Sequence, residues 1–367
     1  MTKEAIIFIP GFHAKGKDYY LNNLLLVGLA GRLEKMDVSI DPDPVKIEGQ
    51  SGRRVIVQNR AGDSKTIDIY EAYWSDLVDR LSDKNAKERV VRGLFLFVYW
   101  LFSSMWKMAR KSRMMFVQFV LMLLLMILWY YSNVVMALVA IGENPSAFGV
   151  QLPPDWAQWA IDVGRSLGSW RVWAGVSLLI SILPVPLTAL VDVVDFTTRY
   201  AQDEAEAGVG GLRDRLRARV RDALEDVLAA GDYDRVTVLG HSFGVIVGID
   251  LLADYRSPND RPVRFVSMGG IIEFLSYKSH WVTHEMVRCL ENPCVETWAD
   301  YHSEQDWLCT RTPISDPELI AKFDSHRLQW ALPLEKRLSG EVHNAYFFDR
   351  MILEDLAGME ATFPSDS

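Results

Sequence analysis

Gly240-His241-Ser242-Phe243-Gly244 is the segment of this chain whose residue types and spacing suit covalent chemistry. A serine hydroxyl is a weak nucleophile until a base takes its proton, so the fold must present Ser242 to both a base and a substrate. The spacing has a steric reason. A serine held in a strained turn needs minimal neighbours two residues before and two after it, and Gly240 and Gly244 let a strand and a helix approach closely there. Arg235-Val236-Thr237-Val238-Leu239 reads as that strand, and Val245 to Tyr255 as that helix. The helix N-terminus behind the serine favours negative charge developing beside it.

The elements that must position this turn are legible on both sides of a long apolar middle. Ala5-Ile6-Ile7-Phe8-Ile9 is a continuous apolar run stopped by Pro10-Gly11, as expected of a buried parallel strand entering a turn. Asp18 to Leu33 carries Leu and Val at helical spacing. Val38-Ser39-Ile40, Arg54-Val55-Ile56-Val57 and Thr66-Ile67-Asp68-Ile69-Tyr70 are strand candidates, punctuated by Asp41-Pro42-Asp43-Pro44 and Ala61-Gly62-Asp63. Ala201 to Gly211 reads as an acidic linker and Leu212 to Leu228 as a charged helix with one apolar face.

With that strand, turn and helix, the sequence resembles the α/β-hydrolase family. The resemblance covers the two parts flanking the apolar middle, about 257 residues. It implies an α/β sandwich with a mostly parallel central sheet, and a chain order of nucleophile, acid, histidine. Val295-Glu296-Thr297-Trp298 reads as a late strand, and the acid is expected in the loop after it. Asp306, before Trp307-Leu308, fits best; Asp300 and Glu304 are the alternatives. The histidine is expected near the C-terminus, which points to His343. His326, in a helix-like stretch from Leu319 to Trp330, and His302, inside the acid loop, compete with it. An oxyanion hole needs two backbone N–H groups. Phe243 follows the nucleophile and supplies one. Pro10-Gly11-Phe12-His13 takes the position of the second donor loop, with Phe12 as donor by resemblance and His13 as the alternative. Pro10 stands where many members of the family have His. A second departure is the hairpin material at 36–69, ahead of Asp68 to Trp74 as the next sheet strand.

The chain has 367 residues and a formal net charge of −9, which does not indicate a basic nucleic-acid face. Cys289, Cys294 and Cys309 have neither zinc-knuckle nor redox spacing and read as thiols of a reducing compartment. The N-terminal apolar run is too short for a signal peptide.

Residues 90–199 differ in kind. Met114 to Ile141 is 28 residues without a charge, and Val172 to Val191 is 20 more, with Pro184 and Pro186. Both are long enough to cross a bilayer, and Gly93 to Trp106 is expected as an interfacial helix. Trp129, Tyr130, Trp156, Trp159, Trp170 and Trp173 cluster near the expected ends. The expected division is therefore 1–89 and 200–367 for the hydrolase-like halves, around a membrane insertion at 90–199. Lys107, Arg110, Lys111 and Arg113 precede the first span, whereas 143–171 is less basic, so the positive-inside rule puts the catalytic halves in the cytoplasm.

The function expected from this reading is a membrane-anchored serine hydrolase that cleaves a carboxylic ester, of lipase, esterase or thioesterase type. Ser242, His343 and Asp306 would be its triad, and the lipid bilayer and an acyl ester its partners, with no cofactor, metal or nucleic acid required. The alternative is a membrane-tethered binding or signalling module on a degenerate hydrolase fold. A channel is disfavoured because the expected spans carry no ionisable residue.

Overall fold

A computed structural model of the chain describes residues 2–13, 15–33, 36–47, 49–59, 62–102, 104–107, 113–143, 153–167, 187–206, 210–230, 233–257, 261–306, 309, 311–314, 316–333, 336 and 341–358. In chain order the strands are β1 (Thr2–Ile9), β2 (Met36–Ile40), β3 (Val45–Ile47), β4 (Gln50–Asn59), β5 (Ser64–Glu71), β6 (Ala205–Glu206), β7 (Gly210–Gly211), β8 (Arg235–His241), β9 (Val263–Met268), β10 (Val295–His302) and β11 (Phe323–Arg327). The main helices are α1 (Leu26–Arg32), α2 (Ala86–Leu101), α3 (Arg113–Glu143), α4 (Pro154–Leu167), α5 (Leu187–Gln202), α6 (Leu212–Ala229), α7 (Phe243–Leu252), α8 (Trp281–Glu291) and α9 (Arg350–Leu356). The chain divides into two compact units, Met1–Leu77 with Ala205–Ser367, and Val78–Glu204.

The first unit is an α/β fold around a mixed, mostly parallel sheet ordered β11-β10-β9-β8-β1-β5-β4-β2, with β3 also on β4. The six strands from β11 to β5 run parallel; β4, β2 and β3 add antiparallel material at one side. The strands expected at 38–40, 54–57 and 66–70 lie in β2, β4 and β5. The continuous apolar run of β1 has the reason that parallel strands buried on both faces require. Ile6 and Phe8 join a core built with Leu21, Leu25, Leu29, Phe347 and Leu353. Ile9, of opposite parity, meets the helix that follows the nucleophile turn, where the Ile9 side chain lies beside Gly248. Helix α7 packs on β8 and β1, and α6 and α8 pack on α7.

Residues 319–330, expected as helix-like, instead contain edge strand β11. His326 sits in it, paired across from Tyr301 of β10. The segment Phe323–Arg327 carries one apolar residue and no strand-like alternation of its own, so pairing with β10 decides the matter.

The second unit is helical and overturns the expected multi-pass membrane anchor with a cytoplasmic catalytic half. Among the described residues, no helix is long and apolar enough to cross a membrane. Part of the apolar surface of 114–141 is covered by protein, where α3 packs against α2, α4 and α5, while Val117, Leu124 and Ile127 stay exposed. Phe119, Leu123, Leu125, Met126, Leu128, Trp129, Val135 and Ala137 are buried there. Gly93 lets α2 approach α3, since a Cβ at that position would lie 2.6 Å from the Trp129 ring. Trp100 Nε1 donates to Thr198 Oγ1 at 3.0 Å, tying α2 to α5. Hydropathy reports how much apolar surface a segment must hide, and here helices hide much of it. The stretch expected as an interfacial helix, 93–106, falls in α2 and a short 3-10 turn at Ser104–Lys107. Residues 172–186 of the second expected span, with Pro184 and Pro186, and Trp170, Arg110 and Lys111 lie outside the described residues.

Candidate active site

Ser242 lies between β8 and α7 with φ 57° and ψ −124°, a conformation that L-residues other than glycine rarely adopt. The surrounding packing holds it there. The Ser242 N–H donates to the Met268 carbonyl at 2.9 Å, and the Val245 N–H donates to the Ser242 carbonyl at 3.1 Å. The two glycines of the motif are fixed by contact. A Cβ on Gly244 would lie 2.1 Å from the Ile9 carbonyl oxygen, and one on Gly240 would lie 2.9 Å from the Val245 Cα. Strand, turn and helix therefore meet only because both positions lack a side chain.

The loop after β1 runs beside the nucleophile. A Cβ on Gly11 would sit 2.8 Å from Ser242 Cβ and 3.2 Å from its Oγ, so the loop comes too close to the serine at Gly11 to carry a side chain there. Trp74, fully buried just beyond β5, stacks on Phe12 with ring centroids 6.2 Å apart and meets Phe243 at 6.3 Å. Its Nε1 donates to the Pro10 carbonyl at 3.0 Å. One indole thus contacts both residues expected to donate to an oxyanion. Sequence reasoning took Trp74 only as the end of a strand. His13, the alternative donor, is buried, and its Nδ1 accepts from the Lys15 N–H at 3.1 Å.

His343 lies in the 3-10 segment Glu341–Phe348, just before α9. Its Nδ1 is 2.6 Å from Asp306 Oδ2, and the Asp306 carboxylate is fully buried. An ionised carboxylate only accepts, so Nδ1 carries the proton and Nε2 is left as the basic nitrogen. Nε2 is buried and has no hydrogen-bond partner among the described residues, so no bond to Ser242 Oγ is formed in this state. The two side chains nevertheless share a neighbourhood. Ser242 is bonded to Met268, and the next residue, Gly269 with φ 61°, would touch His343 Cε1 at 3.3 Å if it had a Cβ.

The remaining candidates are occupied elsewhere. Asp300 lies within β10 and is fully buried, accepting from Ser267 Oγ at 2.6 Å and from the Thr312 N–H at 3.4 Å. Burial pushes its pKa up, against the pull of Ser267 and His302. Glu304 is exposed and pairs with Arg327 at 2.6 Å. His302 Nδ1 is 3.4 Å from Ser325 Oγ, and His326 stacks on Tyr301 with Nε2 3.1 Å from Asp324. Trp307 and Leu308, the apolar pair used to choose Asp306, lie outside the described residues.

No family model, curated protein or solved structure matches the chain. The functional reading therefore rests on these residues alone. Among the described residues no group of three His, Cys, Asp or Glu side chains is arranged to hold a metal ion. The arrangement offers a serine in a strained turn at a helix N-terminus, a histidine with a fixed tautomer, a buried carboxylate behind it, and a glycine-bearing loop against the hydroxyl.

Proposed function

We propose that this chain is a serine hydrolase of α/β-hydrolase type that cleaves a carboxylic ester or thioester. The observation that carries the reading is the 2.6 Å contact between His343 Nδ1 and buried Asp306, set beside a serine at φ 57° on a strand-to-helix turn. In this reading Ser242 Oγ attacks the acyl carbon while His343 Nε2 takes its proton. Asp306 holds the imidazole and stabilises its charged form. The Phe12 and Phe243 N–H groups receive the oxyanion, and His343 returns the proton to the leaving oxygen or sulfur. Water, activated by the same imidazole, then releases the acid and restores Ser242. The unformed bond between Ser242 and His343 is compatible with this role, because catalytic hydrogen bonds often tighten only in the complex with substrate.

Labelling with a fluorophosphonate probe tests the proposal. The expected outcome is one probe per chain at Ser242, lost in Ser242→Ala. Absence of labelling in the folded wild type, or equal labelling of Ser242→Ala, would sink it.

A further inference from the structure

His241 immediately precedes the nucleophile, yet its side chain faces away from the reacting hydroxyl's helix and into the core under His343. The residue is 1% exposed. Its Nε2 lies 3.0 Å from the backbone carbonyl oxygen of His343. A carbonyl only accepts, so Nε2 carries the hydrogen and Nδ1 is the bare nitrogen. Nδ1 is buried and has no hydrogen-bond partner among the described residues. The ring is packed on several sides: 4.6 Å from Phe347, 4.8 Å from the His343 ring, 5.9 Å from Tyr20 and 6.4 Å from Tyr346. Its backbone is locked in the parallel ladder opposite Met268.

From this geometry we infer that His241 is a positioning residue, which fixes the backbone of the residue carrying the general base relative to the nucleophile. The inference rests on the serine hydrolase reading above. Asp306 holds the His343 side chain through Nδ1, and His241 holds the same residue through its carbonyl. Because His241 and Ser242 share a peptide bond, one side chain then sets the span from the nucleophile's backbone to the base's backbone.

The imidazole must stay neutral for this to work. A second proton would sit on Nδ1, a buried donor with nothing to receive it, and would place a charge beside a histidine that itself becomes charged during turnover. The surroundings oppose that proton. Burial, then the nearby His343, push the His241 pKa well below its ordinary value, and His13 acts in the same direction. The other titratable groups around the ring are Tyr20 and Tyr346, whose own pKa values burial pushes up, so both stay uncharged. Phenylalanine at 241 would preserve the packing and remove only the hydrogen bond. Glutamine would restore a donor near the Nε2 position.

The experiment measures fluorophosphonate labelling of the full chain as separate kinact and KI, for wild type, His241→Phe and His241→Gln, with circular dichroism confirming the fold. The expected result for His241→Phe is a kinact lowered on the order of tenfold to a hundredfold, the scale of a misplaced catalytic group, with KI unchanged. His241→Gln is expected to recover most of that loss. A folded His241→Phe that labels as fast as wild type overturns the inference alone, because wild-type labelling at Ser242 leaves the hydrolase reading standing. Unlabelled wild type overturns both. A measurement on the wild type needs no variant to fold: nitrogen-15 histidine spectra are expected to show His241 neutral and protonated on Nε2 from pH 6 to 8. A doubly protonated ring, or a proton on Nδ1, overturns the inference.

Discussion

Strands β10 and β5 both bring carboxyl groups out of water at the same end of the sheet, and the two ends treat them differently. Within and after β10 the chain supplies partners. Asp306 meets His343 Nδ1 at 2.6 Å, and Asp300, six residues earlier, accepts from Ser267 Oγ at 2.6 Å. At the end of β5, Glu71 is 1% exposed, and among the described residues neither carboxylate oxygen forms a hydrogen bond of ordinary geometry. Burial, and then the Asp18 carboxylate beside it, push the Glu71 pKa up to about 8. The difference teaches that donors or a cationic partner favour the ionised form of a buried carboxyl, whereas burial beside a second carboxylate favours the protonated form.

The sharpest way to break this comparison is to neutralise each β10 carboxyl without changing its shape. Asp306→Asn is expected to lower the labelling rate or ester turnover by about 10³- to 10⁴-fold, because the imidazole loses its tautomer and the partner for its charged form. Asp300→Asn is expected to stay within about tenfold of wild type. Equal losses in the two variants would mean that Asp306 has no special place.

Truncation separates them in the opposite sense. Asp300→Ala leaves the Ser267 hydroxyl without its acceptor, while that hydroxyl still accepts from Trp298 Nε1 at 2.8 Å. A loss of about 2 kcal/mol is expected in urea unfolding, the cost of orphaning buried polar groups. A change below about 0.5 kcal/mol, the usual size for an unremarkable surface site, would show that β10 does not depend on this bond.

A pH-dependent effect of similar size concerns Glu71. Its pKa is 4.5 when unperturbed and about 8 when folded, so the folded state holds the proton to higher pH than the unfolded state. Its contribution to stability is fully present below about pH 4.5, declines as the pH rises, and is gone above about pH 8. Glu71→Gln removes that dependence. Between pH 5 and pH 9 the variant is expected to lose about 1–3 kcal/mol less stability than wild type, as measured by thermal or urea unfolding at each pH. Parallel curves would show that Glu71 is ionised throughout.

Much of this was legible in the residues. The apolar run 5–9, the strand candidates of 36–70 and the glycines around Ser242 each state a local requirement, and each lies in the expected element. The pairing of His343 with Asp306 was the first choice under the chain order that the α/β-hydrolase resemblance implies. Three features were not. His326 looked helical because spacing alone cannot reveal that β10 offers an edge to pair with. The run 114–141 looked like a membrane span because an apolar helix does not encode whether lipid or protein will cover it. His241 and Trp74 carried no signal, since their partners are backbone carbonyls, and every residue has one. Only the fold says which carbonyl is in reach.

The central pairing of β1 with β8 has a kinetic consequence. Glu4 stands opposite Arg235, and Lys3 N–H is bonded to Asp234, a separation of 231 residues along the chain. Closing so long a loop is slow relative to local structure, and its entropic penalty grows with the logarithm of the length. The helical unit Val78–Glu204 lies wholly within that loop, and its own long-range bonds, such as Trp100 to Thr198, close a span of 98 residues rather than 231. If it condenses first it shortens the flexible chain that must close, so its assembly would pace the formation of a site to which it contributes no named residue.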